Sequence, residues 1–289
     1  MALKPQVLAE GFLFPEGPRW HEGKLWFSDI HAHQVRTLSL SGKSEVVAEM
    51  EDRPSGIGFL PDGTPIVTLM RKCRVLKLGA KGATVFSDLK PLGLRGINDM
   101  VVDRHGRAYV DAYGQPDATG SPMDGIAMVT PDGAHRRVAE GMRGTNGLMI
   151  TPDGKTLLAG ETAGQRITAF DIAADGSLSN MRLWADVAPH HPDGSCLDAE
   201  GAVWTASPYT SAFIRVREGG RVVDRVPLKD KIAIACMLGG EGRRTLFLLT
   251  NGMRHEDISP VFSGQVEASK VCRGIIETVR VDVPGAGWP

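Results

Sequence analysis

The stretch GINDMVVDRHGRAYV, residues 96–110, is typical of one fold class, because a glycine separates two short apolar runs. Met100 to Val102 precede Gly106, and Ala108 to Val110 follow it. Two apolar runs joined by a glycine-containing turn are typical of a β-hairpin.

The same hairpin pattern recurs along the chain. The turn glycines are separated by 40, 43, 48, 47 and 41 residues and are Gly23, Gly63, Gly106, Gly154, Gly201 and Gly242. A hairpin repeat of about 40 to 50 residues predicts propeller blades of about four strands, whereas helical repeats show 3.6-residue spacing and few glycines. We predict an all-β fold, a six-bladed β-propeller with residues 1–289 as one domain. The strand from Gly274 to Val283 and the residues near Val7 are expected to close the ring.

Polar residues occupy equivalent positions in four of the predicted blades. Glu16 lies seven residues before its turn glycine, and three residues lie eight before theirs: Asn98, Asn146 and Asp193. Because the innermost strands of a propeller run parallel around a central channel, these positions form a ring at one mouth. The other two blades offer Ser55 or Gly56, and Ala235 or Cys236. The alternative is that Asn and Asp before strands only cap turns.

Two carboxylates and two amide carbonyls form an all-oxygen set that suits a hard divalent cation. We therefore predict one metal ion at the channel mouth, held by Glu16, Asn98, Asn146 and Asp193. Calcium is the first candidate, with Mg²⁺, Mn²⁺ or Zn²⁺ as alternatives. The lack of His and Cys in the ring argues against a typical zinc site.

The segments FPEGPRW, GINDMVVD, GTNGLMITPDGKTLL and HHPDGSCLDAEGAVWTA resemble the SMP-30/gluconolactonase/luciferin-regenerating-enzyme family, and the similarity runs from about Glu10 to Val283. The resemblance implies a six-bladed propeller with one divalent metal and hydrolysis of sugar-acid lactones. It implies that Glu16, Asn146 and Asp193 are metal ligands. Asn98 is then a fourth ligand or a contact to substrate and metal-bound water, and Asp193 is the general base.

Two departures from the family pattern bear on the substrate. Arg95 lies three residues before Asn98, where animal members have an arginine two before it, and Met100 stands where a glycine is common. We predict that Asn98, Arg95, Met100 and His191 contact the substrate and that Met100 makes the pocket more apolar than a sugar lactonase needs. Tyr113, Glu161, Ser207 and Tyr209 follow second strands, but the sequence does not orient them.

The composition excludes several classes of partner. Lys plus Arg is 33 against 34 for Asp plus Glu, so no basic excess recruits nucleic acid or an anionic membrane. The N-terminal MALKPQVLAEG has no signal-peptide apolar run, and no segment approaches about 20 apolar residues. The four cysteines show no CxxC spacing. We expect a cytoplasmic enzyme acting on a small molecule; the sequence does not indicate its oligomeric state.

Three functions remain open at this stage. The first is a metal-dependent lactonase, in which the cation polarises the lactone carbonyl and Asp193 deprotonates the attacking water. The second is another metal-assisted reaction, such as organophosphate hydrolysis or a lyase or cyclase step. The third is a non-catalytic binding propeller, against which the polar ring argues.

Overall fold

The computed structural model describes residues 3–115 and 123–287, and these form six four-stranded antiparallel sheets. The first strand of each sheet contacts the first strands of the two neighbouring sheets, and the sixth contacts the first. The sheets are therefore the blades of a closed ring, which confirms the predicted all-β, six-bladed β-propeller.

The strands of each blade follow one another outward from the channel. Blade 1 contains β2 (Pro15–His21), β3 (Lys24–Asp29), β4 (Gln34–Leu38) and β5 (Ser44–Glu49). Blade 2 contains β6 (Pro54–Phe59), β7 (Pro65–Leu69), β8 (Arg74–Gly79) and β9 (Gly82–Asp88). Blade 3 contains β10 (Gly96–Val102), β11 (Ala108–Tyr113), β12 (Asp124–Val129) and β13 (His135–Met142). Blade 4 contains β14 (Thr145–Ile150), β15 (Thr156–Glu161), β16 (Arg166–Ile172) and β17 (Leu178–Asp186). Blade 5 contains β18 (Ser195–Leu197), β19 (Val203–Ser207), β20 (Ala212–Val216) and β21 (Val222–Pro227).

Blade 6 is assembled from both ends of the chain. It contains β22 (Ile232–Gly239), β23 (Thr245–Asn251), β24 (Gly274–Arg280) and, as its outermost strand, β1 (Gln6–Phe12). The antiparallel pairing of β1 with β24 closes the ring, as the sequence predicted. Between β23 and β24 lies an insertion, residues 252–273, with two short helices, α1 (Ile258–Ser263) and α2 (Ala268–Val271).

The six turn glycines all lie between the first and second strands of their blades. Each has a positive φ, from 60° at Gly242 to 83° at Gly63, a conformation that glycine adopts without a Cβ penalty. In the third of these turns, Asp103 accepts hydrogen bonds from the backbone N–H groups of His105 and Arg107, at 2.8 and 3.0 Å. Local turn chemistry therefore sets the repeat that was visible in the sequence.

The two ends of the channel differ. Residues 284–287 cover the end where the inner strands finish, with the Ala286 N–H donating to the Leu197 carbonyl oxygen at 2.9 Å and the Gly285 N–H to that of Arg243 at 2.8 Å. The opposite mouth, where the inner strands begin, is where the polar ring is expected. Apolar clusters fill the spaces between blades. No helix in the described ranges is long and apolar enough to cross a membrane.

Candidate active site

The four ring residues predicted from the sequence line a single cavity of about 230 Å³ at the mouth where the inner strands begin. Glu16, Asn98 and Asn146 are 5, 7 and 9% exposed. They lie on β2, β10 and β14, whereas Asp193 directly precedes the short strand β18. The structure therefore brings together the side chains that a blade repeat placed in register, and their role as ligands remains a prediction.

A β-bulge in each of these inner strands places the ring side chains at the channel. In β10, Ile97 pairs with Ala112 and Met100 pairs with Val110, so that Asn98 and Asp99 together face one residue, Asp111. Similar register shifts follow Glu16 in β2 and Asn146 in β14. A bulge re-aims the side chains next to it, and its repetition explains why equivalent residues converge.

Glycines after the ring residues let the inner strands approach each other closely. A Cβ on Gly17 would lie 2.3 Å from the carbonyl oxygen of Ser55, and a Cβ on Gly147 would lie 2.4 Å from that of Asp193. Both glycines also have positive φ, 58° and 56°. Replacing either would push two strands of the channel wall apart, so these glycines set the size of the ring.

The ring side chains are joined by a chain of hydrogen bonds. The Ser55 hydroxyl donates to Asn98 Oδ1 at 2.7 Å, and Asn98 Nδ2 donates to Asn146 Oδ1 at 3.4 Å. Asn146 Nδ2 donates to Asp193 Oδ1 at 2.6 Å. The Gly17 N–H donates to the Glu16 carboxylate. These contacts orient the amides, and Asn146 engages Oδ1 of Asp193 rather than Oδ2.

The two carboxylates of the ring lack a full counter-charge. Burial, followed by the charges of Asp193 and Asp99, raises the pKa of Glu16 well above its usual range. Burial raises the pKa of Asp193 to about 7, although Asn146 Nδ2 donates a hydrogen bond to it. Two desolvated acids that repel each other favour a proton or a cation.

Two further acidic groups, Asp99 and Asp111, lie on β10 and β11. Asp99 forms a buried ion pair with Arg19, with Arg19 Nη2 3.0 Å from Asp99 Oδ1. Asp111 is fully buried, and neither of its carboxylate oxygens accepts a well-formed hydrogen bond from the described residues. Burial, then the charge of Asp99, raises the pKa of Asp111 well above its usual range.

The remainder of the cavity wall is mainly apolar. Tyr113 and Tyr209 line it, which resolves the orientation that the sequence left open. Glu161 is instead fully buried in an ion pair with Arg166, at 2.8 Å, and Ser207 accepts a hydrogen bond from the His191 N–H. The other lining residues are Phe14, Ile30, Met70, Thr162, Pro208, Ile232, Ile234, Ile258 and Phe262.

The placement of Met100 in the pocket is wrong. Its side chain is fully buried in the apolar cluster between blades 2 and 3, which includes Ile97 and Val110. The bulge in β10 explains the difference, because it turns Asn98 toward the channel and returns Met100 to the interior of the sheet packing. The apolar character of the cavity therefore comes from other residues.

Arg95 and His191 lie behind lining residues and do not themselves line the cavity. The Arg95 guanidinium is 5.5 Å from the centre of the Tyr113 ring, and Arg95 Nε donates to the Gly114 carbonyl oxygen at 2.9 Å. His191 Nδ1 donates to the Thr162 carbonyl oxygen at 2.9 Å, and its ring lies 4.6 Å from that of Tyr209. Both residues contact the wall from behind, and their contact with substrate remains a prediction.

The sixth blade and its insertion contribute residues that sequence reasoning missed. Ile232 and Ile234 line the cavity in place of the expected Ala235 or Cys236, and the insertion adds Ile258 and Phe262. Ile234 lies eight residues before Gly242 and within the β22 bulge, so it is the blade 6 equivalent of Asn98. The only sequence signal of the insertion was the long interval without strand pattern between Asn251 and Gly274.

The chemistry of the donor set fits a divalent cation. Within residues 3–115 and 123–287, no three His, Cys, Asp or Glu side chains form a metal-type cluster, so the ring has only two acids and its other oxygens are amides. Hard cations such as Ca²⁺ take both carboxylate and amide carbonyl oxygens as ligands. The buried, mutually repelling acids supply the negative charge that such an ion requires.

Comparison with known proteins finds relatives that match nearly the whole chain. The chain is 24% identical over 293 residues to a 6-deoxy-6-sulfogluconolactonase of Pseudomonas putida, covering 98% of this chain and 96% of that one. It is 25% identical to human regucalcin, with 84% of each chain covered.

Among solved structures, a calcium-binding protein, regucalcin, from Agrobacterium tumefaciens superposes with a TM-score of 0.80 at 20% identity, over 100% of this chain and 97% of the other. A gluconolactonase from Xanthomonas campestris gives a TM-score of 0.74 at 21% identity, over 98% and 90%. The model of the SMP-30/gluconolactonase/LRE-like family matches residues 14–252, and the chain belongs to this family.

Proposed function

We propose that this protein is a divalent-metal-dependent lactonase. The observation that carries the proposal is the ring of Glu16, Asn98, Asn146 and Asp193, in which two buried acids with raised pKa face one cavity. The names of its relatives, a sulfogluconolactonase and a gluconolactonase, support ester-type hydrolysis.

Glu16, Asn146 and Asp193 would hold the ion, and Asn98 would serve as a fourth ligand or contact the substrate and its attacking water. Calcium is the first candidate, because the donors are all oxygen and a regucalcin with the same fold is described as calcium-binding. Mg²⁺ and Mn²⁺ accept the same donors, and Zn²⁺ is less well matched. When bound, the cation polarises the lactone carbonyl and offsets the negative charge that develops on its oxygen.

The residues of the chain would then perform the proton transfers. Asp193 Oδ1 is engaged by Asn146 Nδ2 at 2.6 Å, which leaves Oδ2 to accept a proton from the attacking water. The water oxygen bonds to the carbonyl carbon, the ring C–O bond breaks, and the proton held by Asp193 passes to the leaving alkoxide. The product is the hydroxy acid, and the Asp193 carboxylate is restored.

The relative from Pseudomonas putida is named for a sulfonated gluconolactone. No Lys, Arg or His is among the described residues that line the cavity here. The proposal therefore concerns lactones as a class and does not extend to that substrate.

A substrate panel with and without a chelator tests this function. We expect hydrolysis of at least one lactone that stops on chelation and returns with added Ca²⁺ or another divalent ion. A phosphotriester in the same panel separates the lactonase from an organophosphate hydrolase. Chelator-sensitive hydrolysis of the phosphotriester alone, or no turnover of any ester, would reject the proposal.

A further inference from the structure

The cavity has two chemically different sides. Its floor is the polar ring of Glu16, Asn98, Asn146 and Asp193. The cavity also has an apolar wall, formed by blades 1 and 6 and the 252–273 insertion, whose residues belong to or pack against one apolar cluster. The wall residues are Phe14, Ile30, Ile232, Ile234, Ile258 and Phe262. A ligand whose reacting group contacts the ring can therefore place hydrocarbon atoms against this wall.

The insertion is fixed to the propeller by specific contacts. The Phe262 ring packs edge-to-face on Phe14, with ring centres 5.2 Å apart, and lies 4.9 Å from the His31 ring. Arg53 Nη1 donates to the Phe262 carbonyl oxygen at 2.6 Å, and the guanidinium lies 5.5 Å from the same ring. Edge-to-face aromatic pairs and cation–π contacts are both stabilising arrangements. The wall is thus a preformed surface, as ligand cavities usually are.

None of the described residues that line the cavity is Lys, Arg or His. His31 lies behind the wall, and burial, followed by the charge of Arg53, lowers its pKa to about 4. Residues 116–122 of the sequence, PDATGSP, contain no Lys, Arg or His. An anionic group buried against this wall would find no cationic side chain among the described lining residues, and a sugar hydroxyl there would lose its hydrogen bonds to water.

We propose that the substrate is an uncharged lactone with an alkyl or aryl substituent, which lies against the apolar wall while its ester group faces the polar ring. This inference rests on the proposed lactonase function and specifies its substrate class. The wall supplies binding energy for the hydrocarbon, and the ring supplies the chemistry.

A homologous series of γ-lactones with lengthening alkyl chains, compared with glucono-1,5-lactone, tests the substrate class. We expect kcat/KM to rise about fourfold per methylene, corresponding to ~0.8 kcal/mol per buried CH₂, until the wall is covered. A higher kcat/KM for the sugar lactone than for every alkyl lactone would overturn this inference and leave the lactonase function intact. Absence of hydrolysis throughout would reject the function itself.

Binding of unreactive γ-lactams with the same alkyl chains provides a readout that is independent of turnover. Calorimetry should show the dissociation constant falling about fourfold per methylene. A dissociation constant that does not change with chain length would contradict the apolar wall even if no lactone were hydrolysed.

Ile258→Arg tests the position of the wall, with Ser259→Arg as the matched control. Ile258 is partly exposed and lines the cavity, whereas Ser259 is exposed on the same short helix, so both variants add one charge to α1. We expect Ile258→Arg to weaken binding of the longest alkyl lactam at least tenfold, and Ser259→Arg to change it less than twofold. Equal effects of the two variants would place the hydrocarbon elsewhere.

Discussion

Replacing Asp193 by Asn tests the role of this carboxylate as a base. The amide retains an oxygen of similar shape and position, so the hydrogen bond to Asn146, 2.6 Å in the wild type, can persist. The formal charge of the ring falls from −2 to −1, which should lower metal affinity. At saturating metal the ion is present and only the proton acceptor is lost.

The expected loss follows from the size of general-base catalysis, about 10²- to 10⁴-fold in kcat. This corresponds to about 2.7 to 5.4 kcal/mol of activation free energy. The assay is kcat for a lactone at several metal concentrations, with bound metal determined by elemental analysis of the same samples. Glu218→Gln, which removes one exposed carboxylate far from the ring in sequence, controls for the change in net charge.

A metal-saturated Asp193→Asn variant with a kcat within a few fold of wild type would show that Asp193 is not the base. Another group would then activate the water, and Glu16, which lines the same cavity, is the next residue to test.

Three further predictions concern the ring and its surroundings. Asn146→Ala removes a ligand, so its activity should fall and recover partly at high metal concentration; a loss with unchanged metal affinity would show that Asn146 is not a ligand. Because burial raises the pKa of Asp111, its contribution to stability is complete below its unfolded pKa of about 3.9 and is lost as the pH rises toward its folded pKa. Denaturant unfolding at several pH values should therefore show the free energy of unfolding of Asp111→Asn rising relative to that of wild type, by up to about 1.4 kcal/mol per pH unit across that window. A difference between the two free energies that does not depend on pH would argue against a protonated Asp111. Met100→Ala should lower the free energy of unfolding by about 2 to 5 kcal/mol and leave lactone preference unchanged, since Met100 lies in the core.

The fold could be predicted from the sequence because the signals for it, the repeated turn glycines, are local. Each turn glycine adopts a positive φ between an inner strand and its neighbour, and this chemistry repeats at a blade-length interval. Counting back from these glycines located Glu16, Asn98, Asn146 and Asp193, since equivalent positions in a propeller meet at the channel. Their convergence on one cavity could therefore be predicted without any contact information.

The prediction from sequence fails where the spacing of residues along the chain no longer determines the direction of a side chain. The bulge in β10 inserts one residue, and this sends Met100 into the core although it is only two residues from Asn98. The apolar wall depends on contacts distant in sequence, such as Phe14 with Phe262. No periodicity connects those two residues, so the cavity's hydrocarbon side required the three-dimensional structure.

The central claim is that one divalent ion at the ring is required for lactone hydrolysis. The most direct measurement is to strip the protein of metal, verify this by elemental analysis, and follow the hydrolysis rate while Ca²⁺ is added back. We expect no activity in the metal-free protein and a hydrolysis rate that rises to a plateau at one bound ion per chain. Full activity in the verified metal-free protein would contradict the central claim.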